Sequence, residues 1–372
     1  MRSFTYDAVG GRVVFGAGAR RALPAELDAL GTRRVLVVAS EREEAALSGE
    51  LAGLLGERLA GRFRDVVQHV PVAQAEAARA RADELDVDTL VTIGGGSAVG
   101  VGKAVALARD VRQVVLPTTY AGSEMTTIWG ITDRGRKRTG TDPRVKPEVV
   151  LYDPELTLTL PPAIAGPSGV NALAHCVEAL YGPGANPVVT LMALEGIRVL
   201  RRSLPAVCAA PGDLAARTEA LYGAYLAAAA LASGGTALHH KTCHVLGGMF
   251  GLDHGGLNAV VLGHALAYNA PAVPEVVEAV AAALGTDDAP GALFDLAAEV
   301  GAPTSLAALG MPAGGLDAAA ERVAVAAEGN VRPVDVAGAR RLLGDAFAGR
   351  RPAAVRTETR PARPADTRGS DG

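Results

Sequence analysis

The sequence predicts an α/β nucleotide-binding domain with a Rossmann-like parallel sheet, followed by an all-helical domain. In residues 1–155, short runs of aliphatic and β-branched residues alternate with helical stretches, a pattern typical of a parallel sheet. From residue 163 onward, stretches rich in alanine and leucine keep a helical periodicity almost to residue 349. The length of 372 residues also exceeds the ~250–300 residues at which single cores stop growing, so two domains are expected.

The two domains are predicted to meet near three prolines, Pro154, Pro161 and Pro162, where the strand-like runs stop. We assign residues 1–155 to the dinucleotide-binding domain and residues 156–349 to the helical catalytic domain. Residues 350–372 are rich in Pro, Arg, Thr and Ala and lack an apolar pattern, so a disordered tail is predicted there.

Continuous apolar runs predict the strands, because a strand inside a parallel sheet is buried on both faces. The clearest run is Val35-Leu36-Val37-Val38-Ala39. Strands are predicted over residues 11–18, 33–40, 64–70, 88–93 and 113–117, with helices over residues 41–59, 76–85 and 98–108.

Composition narrows the class of protein. With a net charge of −4 and one residue in five charged, the chain has no strongly basic surface, so nucleic acid is not an expected partner. No apolar run reaches the ~20 residues of a membrane span, and the N-terminus lacks the apolar segment of a signal peptide. Three cysteines, an odd number in a long chain, favour a reducing cytoplasm.

A triple glycine stands between a predicted strand and helix. Glycines there let the backbone approach a pyrophosphate, and the helix N-terminus offers free N–H groups. A tight turn without a ligand explains the same residues about equally well. Polar residues after the next strand would reach the same sheet edge, where open α/β sheets bind ligands. Lys103, on the helix that follows, is predicted to be exposed. The predicted cofactor-binding residues are Gly94, Gly95, Gly96, Ser97, Thr118, Thr119, Ser123 and, from the strand before, Ser40.

Ser40 ends the predicted strand at which dinucleotide-binding domains often carry a carboxylate. A carboxylate there binds the adenosine ribose and repels a 2′-phosphate, whereas serine does neither strongly. The expected cofactor is therefore NADH or NADPH, with weak discrimination between them.

Histidines are concentrated in one stretch. His240 and His244 are four residues apart, so on a helix both rings lie on one face. His254 follows a glycine-containing break that lets the chain turn back. Asn171 and His175 have the same spacing in an apolar, helical segment. Imidazoles in this arrangement indicate metal ligation, proton transfer or anion binding rather than a scatter of surface histidines.

These motifs, in this order, resemble those of the iron-containing (group III) alcohol dehydrogenases, which share their fold with dehydroquinate synthase. The segments Tyr120-Ala121-Gly122-Ser123-Glu124 and Asn171-Ala172-Leu173-Ala174-His175 are closest to the maleylacetate reductases of that family. The resemblance implies NAD(P)H-dependent reduction of maleylacetate to 3-oxoadipate in aromatic-compound breakdown, and a homodimer. It places His244 beside the nicotinamide. The ligand positions of metal-dependent members correspond here to Asn171, His175, His240 and His254.

Asn171 departs from the metal-dependent pattern, which has an aspartate there. A neutral amide oxygen holds Fe²⁺ less well than a carboxylate, so metal dependence is doubtful, although three imidazoles could still bind Zn²⁺. Hydride addition to a double bond conjugated with a ketone leaves an enolate, which hydrogen-bond donors can stabilise. The predicted catalytic residues are His244 and His254 as proton donors or enolate stabilisers, with His175 and His240 completing the cluster.

The substrate is expected to be a small dicarboxylate, which a partly cationic cluster of His240, Lys241, His244 and His254 would suit. Lys241 could equally point away from that cluster into solvent. The alternative functions are a metal-dependent alcohol dehydrogenase or ketoreductase of the same fold, and a metal-dependent elimination enzyme. Asn171 weighs against the alternatives that need a bound metal.

Overall fold

The computed structural model describes residues 4–6, 10–133 and 136–353. Its centre is a six-stranded parallel sheet in the strand order β1-β8-β5-β4-β2-β3, and β6 and β7 form a separate antiparallel ribbon. The strands are β1 (Arg12–Phe15), β2 (Val35–Ala39), β3 (Leu59–Phe63), β4 (Thr89–Gly94), β5 (Arg112–Pro117), β6 (Ile128–Asp133), β7 (Arg136–Thr141) and β8 (Val149–Tyr152).

Helices cover both faces of the parallel sheet. Alternate residues of β2 show this, since Val35 and Val37 pack with α1 and α2 whereas Leu36 and Val38 pack with α3 and α4. Burying each such side chain contributes about 1.5–3 kcal/mol, which explains the unbroken apolar run of this strand. These helices are α1 (Leu23–Ala29), α2 (Glu41–Leu55), α3 (Val72–Glu84) and α4 (Gly96–Ala106).

The α-helices described after the sheet form two cores: one is built around α5, and the other contains residues of α8, α9, α12 and α13. Nearly every residue of α5 from position 165 to 179 is buried, and α6, α7 and α9 pack against it. The helices are α5 (Pro162–Ala179), α6 (Pro187–Ala209), α7 (Leu214–Gly234), α8 (Leu238–Phe250), α9 (His254–Asn269), α10 (Pro274–Leu284), α11 (Ala289–Glu299), α12 (Leu316–Ala326) and α13 (Val336–Phe347). The predicted fold class, a parallel α/β domain followed by helices, is confirmed.

Several local predictions differ from the structure. The helix predicted over residues 41–59 ends at Leu55, because β3 begins at Leu59. The strand predicted over residues 64–70 is wrong, because the strand lies at Leu59–Phe63 and His69 and Val70 have positive φ angles of 67° and 48°. An extended strand cannot contain two consecutive left-handed residues. The ribbon of β6 and β7 was not anticipated. The helix after the glycines begins at Gly96 rather than near Ala98.

The first residues of the predicted disordered tail are placed in the structure, where Arg351 pairs with Asp288 and Asp295 and Pro352 is buried. The rest of the tail, from position 354 onward, lies outside the described residues. The boundary between residues 155 and 156 stays a prediction. Among the described residues, no single helix has the length and apolar character to cross a membrane. The pair α7 and α8, joined at a 96° bend, satisfies that criterion among the described helices, by length and composition alone.

Candidate active site

Three helices bring the predicted histidines together. His175 on α5 stacks on His240 of α8, with ring centroids 4.8 Å apart. His244, one turn further along α8, lies 6.3 Å from His240 and 6.1 Å from His254. The α8 helix ends at Gly251, whose φ of 67° reverses the chain, and Asp253 caps α9 so that His254 begins it. The four predicted catalytic histidines therefore form one continuous group.

Buried hydrogen bonds determine which nitrogen of His240 carries a proton. The Nε2 atom of His239 is 2.9 Å from the carbonyl oxygen of Asn258, which can only accept, so this nitrogen bears the hydrogen. In neutral His239, Nδ1 is then an acceptor, and it lies 3.2 Å from Nδ1 of His240. His240 must therefore donate from Nδ1, and Glu178 Oε2, 2.6 Å away, accepts this hydrogen bond. The Nε2 atom of His240 is left with a free lone pair.

Several buried polar atoms of this group have no hydrogen-bond partner among the described residues. They are Nε2 of His240, Oδ1 of Asn171 and Nδ1 of His175. Unpaired buried acceptors are costly, about 1–3 kcal/mol each, and are rare in native proteins outside functional sites. The oxygen of Asn171 and the lone pair of His240 Nε2 therefore indicate a ligand that offers hydrogen-bond donors or positive charge.

Burial sets the charge of the inner histidines. It lowers the pKa of His240 to about 3 and that of His239 to about 4, and it holds the pKa of His175 well below its usual value. All three rings are therefore neutral near pH 7. The expectation that His240 contributes positive charge for a dicarboxylate is wrong for this reason. His244 is exposed and His254 half-buried, so these two rings lie nearer to solvent.

Lys241 does not face the histidine group. Its Nζ donates to the carbonyl oxygen of Glu328, 3.0 Å away, beyond the end of α12. Of the two interpretations of this lysine, the one in which it points away agrees with the structure. It therefore cannot be counted among the groups that recognise a substrate anion at His240.

The glycine turn lies at the carboxyl edge of the sheet, as predicted. Gly94 ends β4 with a φ of 148°, a conformation that side chains disfavour, and Gly95 precedes the first turn of α4. A Cβ on Gly95 would lie 2.8 Å from the side chain of Thr119, so this threonine closes over the turn. Thr118 Oγ1 and Ser40 Oγ both donate to the carboxylate of Glu43, at 2.7 and 2.8 Å.

The loop after β5 connects this edge to the histidines. Gly122 has a φ of 79°, and a Cβ there would lie 3.4 Å from Nδ1 of His175 and 3.2 Å from Ala228. Ser123 is the next residue along, on a short 3-10 turn. The predicted cofactor edge and the predicted catalytic group are thus adjacent, which is the arrangement that hydride transfer requires.

Lys103 is buried rather than exposed, so this prediction is wrong. Its Nζ donates to the carbonyl oxygens of Thr126 and Ile128, at 2.8 and 2.7 Å, and to the Thr126 hydroxyl at 3.0 Å. Burial lowers its pKa to about 7. The lysine ties α4 to the segment leading into β6, which sequence periodicity could not reveal.

Comparison with known proteins assigns the family. Residues 10–154 match the profile of the iron-containing alcohol dehydrogenases, and residues 166–347 match the C-terminal profile of the Fe-containing alcohol dehydrogenase family. The chain belongs to the iron-containing alcohol dehydrogenase family. It is accordingly an oxidoreductase, and members of this family use NAD(P)H.

Relatives within the family are maleylacetate reductases. The protein of that name from Burkholderia cepacia is 49% identical over 95% of this chain and 100% of its own length. The one from Sphingobium indicum is 49% identical over 93% of this chain and 98% of its own. The crystal structure of maleylacetate reductase from Agrobacterium tumefaciens has a TM-score of 0.90 at 44% identity and covers 95% of this chain and 100% of that one.

The family name implies an iron ion. In this chain the atoms available to bind such an ion belong to neutral side chains. His175 and His240 are uncharged and, with Asn171, have unpaired atoms that could face a cation. Glu178 Oε2 and the Nδ1 atoms of His239 and His240 are also close enough to share a cation, but they already bond one another. An ion would therefore be held from the other side of His240, by Nε2. Glu178 would orient the ring of His240, as a carboxylate does for a metal-binding histidine.

Sequence reasoning missed Glu178, His239 and Glu43 as members of the site. Glu178 lies seven residues after Asn171 and three after His175, so all three share one face of α5. A carboxylate in an otherwise apolar helix was the signal that could have identified it. Glu43 had no comparable signal, because its place depends on how α2 meets the sheet edge.

Proposed function

We propose that this enzyme reduces maleylacetate to 3-oxoadipate with NADH or NADPH, in the breakdown of aromatic compounds. The support is identity of 49% to maleylacetate reductases over almost the whole chain, together with an asparagine at the position of the family's carboxylate. The proposed substrate is a small dicarboxylate.

The proposed reaction begins with hydride transfer from the nicotinamide to the carbon β to the ketone. The π electrons of the double bond form a new double bond between the α carbon and the carbonyl carbon, the carbonyl π electrons move to the ketone oxygen to give an enolate, and NADH becomes NAD⁺. A proton then adds to the α carbon and the ketone re-forms. Because an enolate is a weaker base than an alkoxide, hydrogen-bond donors are sufficient to stabilise it.

We assign the proton delivery to His244 and His254, the two rings of the group that lie nearest to solvent. Solvent contact lets these rings be reprotonated between turnovers. His175 and His240, neutral and buried, hold the shape of the site beneath them. In this proposal Gly94 to Ser97 approach the pyrophosphate, with Thr118, Thr119 and Ser123 along the same edge.

We propose that the reaction runs without a metal. Hydrogen-bond donors are sufficient for the enolate, and Asn171 removes a full negative charge from the residues that would bind a metal. Were an ion bound, Asn171, His175, His240 and His254 would hold it, and it would polarise the ketone oxygen. A metal-dependent ketoreductase is the second candidate, favoured by the unpaired acceptor atoms of Asn171 and His240.

The test is NADH consumption with maleylacetate after dialysis against a strong chelator. Full activity, with metal content near zero by mass spectrometry, is expected. Activity lost on dialysis and restored by Zn²⁺ or Fe²⁺ would favour the metal-dependent reaction. Turnover of other ketones but not of maleylacetate would refute the proposed substrate. We further propose a cytoplasmic homodimer, which sedimentation of the purified protein and fractionation of the producing cells would check.

A further inference from the structure

A carboxylate lies at the cofactor edge of the sheet, and it comes from the first turn of α2. Both oxygens of Glu43 are held there. Oε1 accepts from Thr118 Oγ1, at the end of β5, and Oε2 accepts from the hydroxyl and the N–H of Ser40, at the end of β2. A Cβ on Gly94 would lie 2.7 Å from Oε2 and 3.1 Å from Oε1. The carboxylate therefore lies directly against the glycine turn of β4.

None of the ion pairs found between described residues involves this carboxylate. In the described part of the chain, Glu43 accepts hydrogen bonds from hydroxyl and N–H groups only, and it forms no ion pair. Ser40 and Glu43 also form a capping box at the start of α2, which holds the side chain in this orientation. An anion brought to this edge would meet an oriented, uncompensated carboxylate.

We propose that Glu43 makes this enzyme select NADH over NADPH. A carboxylate beside the strand next to the glycine turn can accept hydrogen bonds from ribose hydroxyls, and it repels a 2′-phosphate. Ser40 follows the end of the strand, but its hydroxyl caps α2. In this proposal the side chain that faces the ribose is therefore that of Glu43. The weak discrimination expected from Ser40 alone is replaced by a strong preference.

The inference rests on the proposed use of a nicotinamide cofactor, and a Glu43→Gln variant tests it. Glutamine preserves the capping box but removes the charge. For the unaltered enzyme we expect kcat/KM with NADH to exceed that with NADPH by about 100-fold, the scale of close like-charge repulsion. In E43Q the two cofactors should come within about tenfold of each other, mainly through a gain with NADPH.

Calorimetric titration of each cofactor, without organic substrate, separates this inference from the proposed function. The same preference in binding, without turnover of maleylacetate, would refute the substrate and leave the role of Glu43 supported. The control is Glu41→Gln, which removes an exposed charge from the same helical turn and should leave the ratio unchanged.

Three results would overturn the inference. The first is no NADH preference in the unaltered enzyme. The second is an E43Q variant whose affinity rises equally for both cofactors, which would mean that the carboxylate opposes the shared pyrophosphate. The third is an unchanged ratio in E43Q, or an equal shift in E41Q, which would leave Glu43 as a helix cap only.

Discussion

Replacing Glu178 by glutamine should alter the tautomer of His240 without removing a side chain from the core. The backbone N–H of His239 donates to Oε1 at 2.7 Å, a shorter bond than the 3.4 Å bond from the backbone N–H of His240 to Oε2, so we expect the amide oxygen of the introduced glutamine to take the place of Oε1. The amide nitrogen then faces Nδ1 of His240, 2.6 Å from the original Oε2, and can only donate to it. His240 must therefore carry its hydrogen on Nε2, the atom that faces the candidate site.

The change also leaves more than one hydrogen bond unmade, because the backbone N–H of His240, which donates to Oε2 at 3.4 Å, would face the amide nitrogen. Once Nδ1 of His240 is an acceptor, it opposes Nδ1 of His239, 3.2 Å away, unless His239 gives up its bond to Asn258. Either outcome leaves a buried polar group unpaired, which lowers the free energy of unfolding by about 1–3 kcal/mol. For 372 residues, at about 2.1 cal/mol/K of unfolding entropy per residue, each kcal/mol lowers the melting temperature by about 1–2 °C. Disturbing the carboxylate behind a site histidine should reduce kcat by about 10–100-fold.

The assays are steady-state NADH oxidation, calorimetric melting, and ¹⁵N NMR of the labelled histidines. NMR should show Nε2 of His240 without a hydrogen in the unaltered enzyme and with one in E178Q. The control is Glu195→Gln on α6, an exposed residue whose ion pair with Arg198 lies at the surface. Unchanged kcat and melting temperature in E178Q, or an unchanged NMR signal, would refute the tautomer argument.

Three further predictions concern the buried groups. Asn171→Asp should raise the affinity for Zn²⁺ or Fe²⁺ at least about tenfold, because it restores a charged ligand; equal metal content in both proteins by mass spectrometry would contradict this. The folded-state pKa values of His239 and His240, about 4 and 3, lie below the ordinary histidine pKa of 6.5. Between those pKa values and pH 6.5 the unfolded chain binds more protons than the folded one, so stability should fall as pH drops from 6.5 toward 4. The loss is roughly 3 kcal/mol per ring, offset in part by the raised pKa of Glu178, and a melting temperature independent of pH in this window would refute it. Lys103→Met should destabilise the fold by about 1–3 kcal/mol, because two carbonyl groups lose their donor, and denaturant unfolding would show no change if the lysine were dispensable.

Much of the fold was determined by local pattern. The unbroken apolar run of β2 predicts a strand covered on both faces, and all five residues of this strand are buried. The change from strand-like to helical periodicity after Tyr152 is equally visible. The strand misplaced onto residues 64–70 failed because apolar composition does not reveal the left-handed backbone at His69 and Val70.

The sequence by itself determined which residues could carry the chemistry. The four-residue spacings of Asn171 with His175 and of His240 with His244 place side chains on shared helix faces, and the glycines at 94–96 allow the backbone to approach a phosphate. These features are local, because the helical repeat and the freedom of glycine depend on neighbours in the chain.

Only the tertiary structure decided what those residues can do. Burial by α5, α8 and α9 makes His240 neutral, and the carboxylate that orients it comes from 62 residues earlier in the chain. Glu43 reaches Thr118 across 75 residues. Charge state and hydrogen-bond partners depend on desolvation and on through-space contacts, and no local pattern in the chain contains either.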